Sequence, residues 1–237
     1  MGLYAVILAG GLGTRLRSVV NDRPKVMAMI AGRPFLTRLL DQLIESGFQK
    51  SVLCTGYLAD TIQRELGNRY QNLELLYSVE ETPLGTGGAL RQACENSSGE
   101  KILVLNGDSY CDCNLADFIA AQIASSASAG MVLARVEDVA RFGTVRINTE
   151  SRVESFIEKG SNIGPGWINA GVYLLPASRI LALPLGRIVS LEREVIPHII
   201  ADGLYGYQCS GSFIDIGIPD EYQRAQKFFS DVMKGKP

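Results

Sequence analysis

The residues whose types and spacing suggest chemistry begin with a glycine-rich segment near the start of the sequence. Residues 8–16 read LAGGLGTRL and follow the apolar run AVI. Glycine lets a backbone adopt conformations closed to other residues and approach a ligand closely. Free N–H groups in such a loop form a concave anion site, and the arginine that follows suits phosphate. The segment is therefore predicted to bind a polyphosphate, although a glycine cluster by itself is also common in surface turns.

Two well-known phosphate-binding motifs do not match this loop. A P-loop requires GxxxxGK[ST], and no such lysine–hydroxyl pair occurs here. A dinucleotide-binding turn requires GxGxxG, whereas the chain reads GLGTRL from Gly11. The next strand-like run, SVLCTG at 51–56, also contains no acidic residue to hold a ribose. These residues argue against a nicotinamide-dependent oxidoreductase.

Two aspartates occur where apolar runs end. Asp108 follows ILVLNG, so it is predicted at the carboxyl end of a central strand, where open α/β sheets bind ligands. Asp215 ends the run SFI and precedes Ile216 and Gly217. Mg²⁺ prefers one or two carboxylates and completes its shell with phosphate oxygens and water. An aspartate after a strand is also a common cap or turn residue, so Asp108 alone does not decide between the two roles.

The elements that must position these residues alternate through the first half of the chain. Helical spacing of apolar residues occurs in LADTIQRELGN and in PFLTRLLDQLIESGF, with Pro34 in the first turn and Gly47 at the stop. The apolar runs show little polar alternation, as in a sheet covered on both faces, and they cover residues 4–9, 51–56, 73–79 and 101–108. The pattern predicts an α/β fold with three layers and a mainly parallel sheet.

The second half changes to closely spaced strand-like runs punctuated by glycine and asparagine. These runs cover residues 130–136, 142–150, 152–159 and 166–175. Their spacing predicts antiparallel additions to the sheet. Helical patterns return in SLEREVIPHIIADG and PDEYQRAQKFFSDVMKG, and no repeat, linker or hexapeptide array is visible. One domain over 1–237 is the simplest interpretation.

Composition narrows the classes of function and partner. The 237 residues are 46% hydrophobic with a net charge of −2, so nucleic acid is not an expected partner. The five cysteines lack redox or zinc-ligand spacing and are predicted to be reduced structural thiols. No run reaches the ~18 apolar residues of a membrane span, and no leader pattern is present. The protein is expected to be cytoplasmic, without membrane contact.

Seven further segments follow the glycine loop in a characteristic order. They are RPK at 23–25, PLGTGGAL at 83–90, LNGD at 105–108, FGTV at 142–145, FIEK at 156–159, INAGVYLL at 168–175 and FIDIG at 213–217. Together these segments resemble the family of sugar-1-phosphate nucleotidyltransferases over nearly the whole chain. The resemblance implies a Rossmann-like nucleotidyltransferase fold with a mixed, mainly parallel central sheet.

Within that family, four segments most resemble the guanylyltransferases of D-glycero-alpha-D-manno-heptose 1-phosphate. They are SVVNDRPK, PLGTGG, SLERE and FIDIGIPDEYQRA. The resemblance implies transfer of GMP from GTP to that sugar 1-phosphate, with release of pyrophosphate, for surface glycans. Three alternatives stay open. The sugar substrate could be mannose 1-phosphate, the nucleotide could be another nucleoside triphosphate, or the protein could be a regulatory subunit that has the fold without the catalytic activity. A homodimer is compatible with the sequence.

The resemblance also implies roles for individual residues. The attacking phosphate oxygen is already an anion, so no protein base is needed, and His198 in the apolar context VIPHII is expected to be structural. Catalytic roles are implied for Arg15, Lys25 and Asp108, and Mg²⁺ is implied on Asp108 and Asp215. The nucleotide-binding residues implied are Leu8, Gly10, Gly11, Gly13, Thr14, Leu84, Gly85, Gly88 and Asn106. The sugar-phosphate-binding residues implied are Gly143, Glu158, Lys159 and Asn169.

Overall fold

A mixed sheet of ten strands lies at the centre of the computed structural model, which describes residues 3–11, 13–95, 99–157 and 163–235, with side chains up to residue 230. Two shorter ladders, β2–β3 and β8–β14, accompany it. The strands are β1 (Leu3–Leu8), β2 (Met29–Ile30), β3 (Arg33–Pro34), β4 (Lys50–Thr55), β5 (Arg69–Tyr70), β6 (Leu73–Val79), β7 (Lys101–Asn106), β8 (Ser109–Cys111), β9 (Ala129–Val136), β10 (Thr144–Ile147), β11 (Val153–Ile157), β12 (Gly166–Pro176), β13 (Leu204–Cys209) and β14 (Phe213–Asp215).

Helices cover both faces of this sheet. Alternate residues of β1 separate the two layers: Ala5 and Ile7 pack in one apolar cluster with α1, α4 and α7, and Val6 packs in another with α3, α5 and α6. This arrangement confirms the three layers predicted from the apolar runs. The helices are α1 (Phe35–Glu45), α2 (Ala59–Leu66), α3 (Gly85–Ala93), α4 (Leu115–Ala124), α5 (Ala177–Leu181), α6 (Ile196–Ala201) and α7 (Pro219–Gly235).

The strand directions agree with the prediction of mainly parallel strands from the first half of the sequence and antiparallel additions from the second half. β1 pairs in parallel with β4 and β7, and β4 pairs in parallel with β6. β12 runs antiparallel to β7, β9 and β10, which confirms the predicted antiparallel additions. β13 joins β9 in parallel at the far side. The parallel centre therefore carries the carboxyl ends of β1 and β7 to one edge of the sheet.

Local signals in the sequence set several helix boundaries. Pro34 directly precedes α1, and Gly47 adopts a φ of +83° just after it ends. Asn114 caps α4, because its side chain accepts hydrogen bonds from the backbone N–H groups of Ala116 and Asp117. α3 differs from these helices: its first turn reads GTGG, a composition unfavourable to helix, and the sequence predicts no helix there.

Two further properties follow from the described part of the chain. All five cysteines are free and buried there, in agreement with the predicted reduced thiols. None of the described helices combines the length and the apolar character that crossing a membrane requires.

Candidate active site

A cleft of about 280 Å³ opens where β1 and β7 end. Its walls come from the glycine loop, from the turn that begins at Lys25, from the start of α3 and from the residues after β7. Eight of the residues implied by the resemblance line it together: Leu8, Gly10, Gly11, Gly13, Lys25, Gly85, Asn106 and Asp108. The tertiary structure therefore assembles the polyphosphate loop, a lysine and a carboxylate into one concave site.

The loop glycines allow close approach of two functional side chains. Gly13 has a φ of +59°, a conformation that favours glycine, and a Cβ built there would lie 3.0 Å from Lys25 Cβ. A Cβ on Gly10 would lie 2.8 Å from Glu80 Oε1. The missing side chains thus let Lys25 and Glu80 reach the cleft alongside the loop.

Lys25 and Asp108 form an ion pair inside the cleft. Lys25 Nζ lies 2.5 Å from Asp108 Oδ2, and the two side chains are 13% and 39% exposed. Gly107 fixes Asp108 beside the loop, because its N–H donates to the Leu8 carbonyl at 2.9 Å. A partly buried ammonium and a more exposed carboxylate therefore share one wall. A phosphate can approach the ammonium, and a cation can approach the carboxylate.

Asn106 presents an unused acceptor to the same space. Its Oδ1 atom is buried and has no hydrogen-bond partner among the described residues. Because Asn106 lines the cleft, a donor group of a bound substrate would satisfy that oxygen.

Glu80 is a cleft residue that the sequence analysis missed. It follows β6 directly, and its Oε2 accepts the Leu84 N–H at 2.8 Å. Burial raises the pKa of the Glu80 carboxyl, and the Leu84 N–H opposes that shift. The available signal was an acidic residue at the end of an apolar run, three residues before PLGTGG begins at Pro83. The structure adds this carboxylate acceptor to the lining of the cleft, together with Pro83, Gly85 and Thr86.

The glycines of PLGTGG serve a different purpose from the one expected. Gly85 lines the cleft, but a Cβ on it would lie 2.6 Å from the Val189 carbonyl oxygen, and one on Gly88 would lie 2.5 Å from that of Arg187. Leu84 is buried and its carbonyl accepts the Val189 N–H at 2.9 Å. The small residues therefore admit the segment 187–191 against α3, and Leu84 and Gly88 lie behind the wall rather than on its surface.

Thr14 and Arg15 lie outside the cleft lining. Both are exposed on the short helical turn Thr14–Leu16, which follows the glycine loop. Their contacts with phosphate stay predictions. His198 is exposed on α6 and does not line the cleft either.

The residues expected to hold the sugar lie on a neighbouring part of the sheet. The Asn169 N–H donates to the Gly143 carbonyl at 3.4 Å, so these two residues are adjacent. The Asn169 side chain is held within β12, donating to the Tyr173 hydroxyl at 2.6 Å and accepting the Gly171 N–H at 2.9 Å. Glu158 and Lys159 lie outside the described residues.

The second aspartate is brought next to the first by a short ladder. β14 pairs with β8 so that Asp215 is opposite Ser109, and the Ile216 N–H donates to the Asp108 carbonyl at 2.9 Å. The Asp215 carboxylate accepts the Gly217 N–H and lines a depression beside Phe142. The two aspartates are therefore neighbours at the backbone, while the Asp108 carboxylate lines the cleft and the Asp215 carboxylate lines the adjoining depression. The described residues contain no cluster of three or more metal-binding side chains. Two carboxylates are nevertheless the kind of protein ligand that Mg²⁺ prefers.

Comparison with known proteins identifies the family. Residues 4–232 match the family described as Nucleotidyl transferase. The chain belongs to that family. A further comparison finds 38% identity to a D-glycero-alpha-D-manno-heptose 1-phosphate guanylyltransferase of Aneurinibacillus thermoaerophilus, over 95% of this nucleotidyl transferase and 97% of the relative.

Two other similar proteins bear on this nucleotidyl transferase. The crystal structure of HddC from Yersinia pseudotuberculosis superimposes on this chain with a TM-score of 0.85 at 38% sequence identity. The match covers 97% of this chain and all of the HddC chain. A second crystal structure shows HddC complexed with GMP-PN. A mannose-1-phosphate guanylyltransferase of Mycobacterium tuberculosis is 36% identical over 98% of this chain, which spans 65% of its length. The expected Rossmann-like nucleotidyltransferase fold is thereby confirmed.

Proposed function

We propose that this nucleotidyl transferase transfers GMP from GTP to D-glycero-alpha-D-manno-heptose 1-phosphate and releases pyrophosphate. The observation that supports GTP as the nucleotide substrate is the Glu80 carboxylate in the wall of the cleft. Guanine offers two adjacent donors, N1–H and the N2 amino group, whereas adenine offers an acceptor at N1. A carboxylate accepts both guanine donors in a charge-assisted manner. The choice of the heptose phosphate as the second substrate is supported by two relatives that are heptose 1-phosphate guanylyltransferases.

The reaction requires the cleft to position phosphates rather than to move a proton. An oxygen of the sugar 1-phosphate, already anionic, forms a bond to the α-phosphorus of GTP. The bond from that phosphorus to its bridging oxygen breaks, and the electron pair leaves with pyrophosphate. Lys25 lies beside the glycine loop, where its ammonium would stabilise the charge that accumulates in the transition state. Catalysis then rests on geometry and charge neutralisation.

Mg²⁺ is the cofactor that the donor set favours. Asp108 and Asp215 would hold it, and when bound it would neutralise charge between the phosphates of the two substrates. The roles of Arg15 and Thr14 on the triphosphate, and of Gly143 and Asn169 on the sugar, belong to the same proposal. The cytoplasmic location, the single domain and the homodimer expected from the sequence stay predictions.

A grid of substrates tests this proposal. Pyrophosphate release is measured with Mg²⁺ for four nucleoside triphosphates against heptose 1-phosphate and mannose 1-phosphate. We expect a signal with GTP and the heptose. The second candidate is mannose 1-phosphate, which the Mycobacterium tuberculosis relative favours; GTP with mannose alone would establish that sugar instead. A preference for a pyrimidine triphosphate, or silence across the grid, would refute the guanylyl assignment.

Replacing Glu80 with glutamine is expected to weaken GTP binding selectively. The amide keeps one oxygen for the Leu84 N–H but turns an NH₂ group toward the guanine donors. Hydrogen bonds to charged groups contribute ~1.5–3 kcal/mol, so KM for GTP should rise about 10- to 100-fold, with a smaller change for ATP. Steady-state kinetics with both nucleotides measure this difference. Glu81→Gln, one residue away on an exposed side chain, is the matched control, and an unchanged KM for GTP in E80Q would contradict base recognition by Glu80.

A further inference from the structure

The segment SLERE, which marked the family resemblance, packs directly behind the nucleotide wall. Glu192 in this segment accepts the Thr86 hydroxyl on its Oε2 at 2.8 Å. Thr86 is in the first turn of α3 and lines the cleft. The Leu191 N–H donates in turn to Thr86 Oγ1 at 2.8 Å. One side chain of the cleft is therefore fixed on two sides by SLERE.

The other oxygen of the same carboxylate faces β12. The Tyr173 hydroxyl donates to Glu192 Oε1 at 3.4 Å, and Tyr173 is fully buried. Asn169 and Asn106 both hydrogen-bond to that phenol oxygen. Burial and the nearby Glu192 charge raise the pKa of Tyr173 well above its ordinary value, so the phenol keeps its proton and acts as a donor to the carboxylate.

The backbone around Glu192 is itself unusual. Residues Leu191–Val195 form a π-helical turn, in which the Ile196 N–H bonds to the Leu191 carbonyl five residues earlier. Such turns are rare and occur frequently at functional sites. Here the turn places Glu192 between α3, through Thr86, and β12, through Tyr173.

We infer that Glu192 is a positioning residue that holds the two halves of the active site in register. Through Thr86 it fixes the wall of the nucleotide cleft, and through Tyr173 it fixes Asn169 on the side expected to hold the sugar phosphate. This inference rests on the proposed function, since it assigns these two sides to the two substrates. Glu192 does not line the cleft, so it acts through its neighbours and not on the reacting atoms. In-line attack depends on the relative placement of both substrates, and small misplacements reduce the rate strongly.

The substitution Glu192→Gln tests this inference, with Glu194→Gln as its matched control. The amide keeps the length of the side chain but can no longer accept from both Thr86 and Tyr173. Glu194 is in the same turn, is exposed, and accepts only the Ser190 N–H at 2.7 Å among its described contacts. We expect kcat to fall at least about tenfold in E192Q with KM for GTP changed less than threefold, and no change in E194Q. Equal kcat values in the two variants, or a lower melting temperature with normal kcat per folded molecule, would overturn a positioning role.

A second variant keeps the test informative if E192Q folds poorly. Tyr173→Phe removes one hydroxyl from the same chain of hydrogen bonds and leaves the Glu192–Thr86 bond in place. Tyr173→Phe alone should therefore lower kcat, and wild-type kcat in Y173F would contradict the inference. Where E192Q folds normally, the double variant should be no slower than E192Q alone, because both residues act on Asn169 through one path. Fully additive effects would mean that Glu192 and Tyr173 act independently, which contradicts the inference.

Hydrogen exchange separates failure of this inference from failure of the proposed function. A wild-type protein that is silent with every substrate refutes the proposed function. The coupling between the nucleotide side and the sugar-phosphate side of the site can then still be measured, as amide exchange in residues 84–88 and 168–173. Faster exchange in both segments of E192Q, relative to E194Q, supports the coupling. A change in only one segment, or in neither, overturns it.

Discussion

Replacing Asp108 with asparagine is expected to lower kcat about a thousandfold, or about 4 kcal/mol of transition-state free energy, while the protein keeps its fold. Asparagine has the same shape and can still accept a hydrogen bond from Lys25, so the wall of the cleft should stay intact. It removes the negative charge that would hold Mg²⁺ between the phosphates. Pyrophosphate release at saturating GTP and sugar 1-phosphate measures the loss, and circular dichroism checks the fold.

A nearby aspartate provides the control for this substitution. Asp112 lies four residues further on, is exposed and does not line the cleft, so Asp112→Asn should keep wild-type turnover. A D108N enzyme within tenfold of wild type would remove Asp108 from the mechanism. Loss of activity in D112N to the same extent would indicate instead that the β8 region tolerates no change.

Replacing Lys25 with methionine should produce the second large effect. Methionine fills the volume of the lysine stem next to Gly13 but removes the ammonium 2.5 Å from Asp108. Loss of one preorganised donor to a developing charge typically costs about 10²- to 10³-fold in rate. We expect kcat/KM for GTP to fall by that amount. Asp108 loses its partner but keeps access to solvent, so the stability of the fold should change little.

An exposed lysine serves as the reference for K25M. Lys50 pairs with Glu74 at 3.2 Å on the surface, and Lys50→Met should leave kcat/KM unchanged. Arginine at position 25 should not restore the rate, because its longer, planar head does not place the charge where the compact Lys25 ammonium lies, 2.5 Å from Asp108 Oδ2. Wild-type kinetics in K25M would show that Lys25 only balances the charge of Asp108.

Much of the fold followed from short-range patterns in the sequence. The apolar runs without polar alternation predicted strands covered on both faces. The strands β1, β4, β6 and β7 occur at those runs. The spacing in 34–47 predicted α1 together with its stop. These predictions succeeded because periodicity and glycine or proline signals act within a few residues of each other.

The helix α3 and the glycines of PLGTGG show where such patterns were insufficient. Glycine opposes helix formation, yet Gly85 begins α3 with a φ of +71°. The structure resolves this contradiction through the distant segment 187–191, whose Val189 carbonyl accepts the Gly87 N–H at 2.8 Å. A packing partner a hundred residues away leaves no trace in local composition, so the glycines were assigned to ligand contact instead.

The sequence by itself determined which groups could do the chemistry: a glycine loop for polyphosphate, Lys25 and Asp108 as charged groups, and a parallel sheet to carry them. These properties depend on residue type and local spacing. Only the tertiary structure decided that Lys25 and Asp108, 83 residues apart, form one ion pair, that Glu80 faces the cleft, and that Glu192 connects Thr86 with Tyr173. Those relations depend on which strands and turns become neighbours, and that is set by packing across the whole sheet rather than by any single segment.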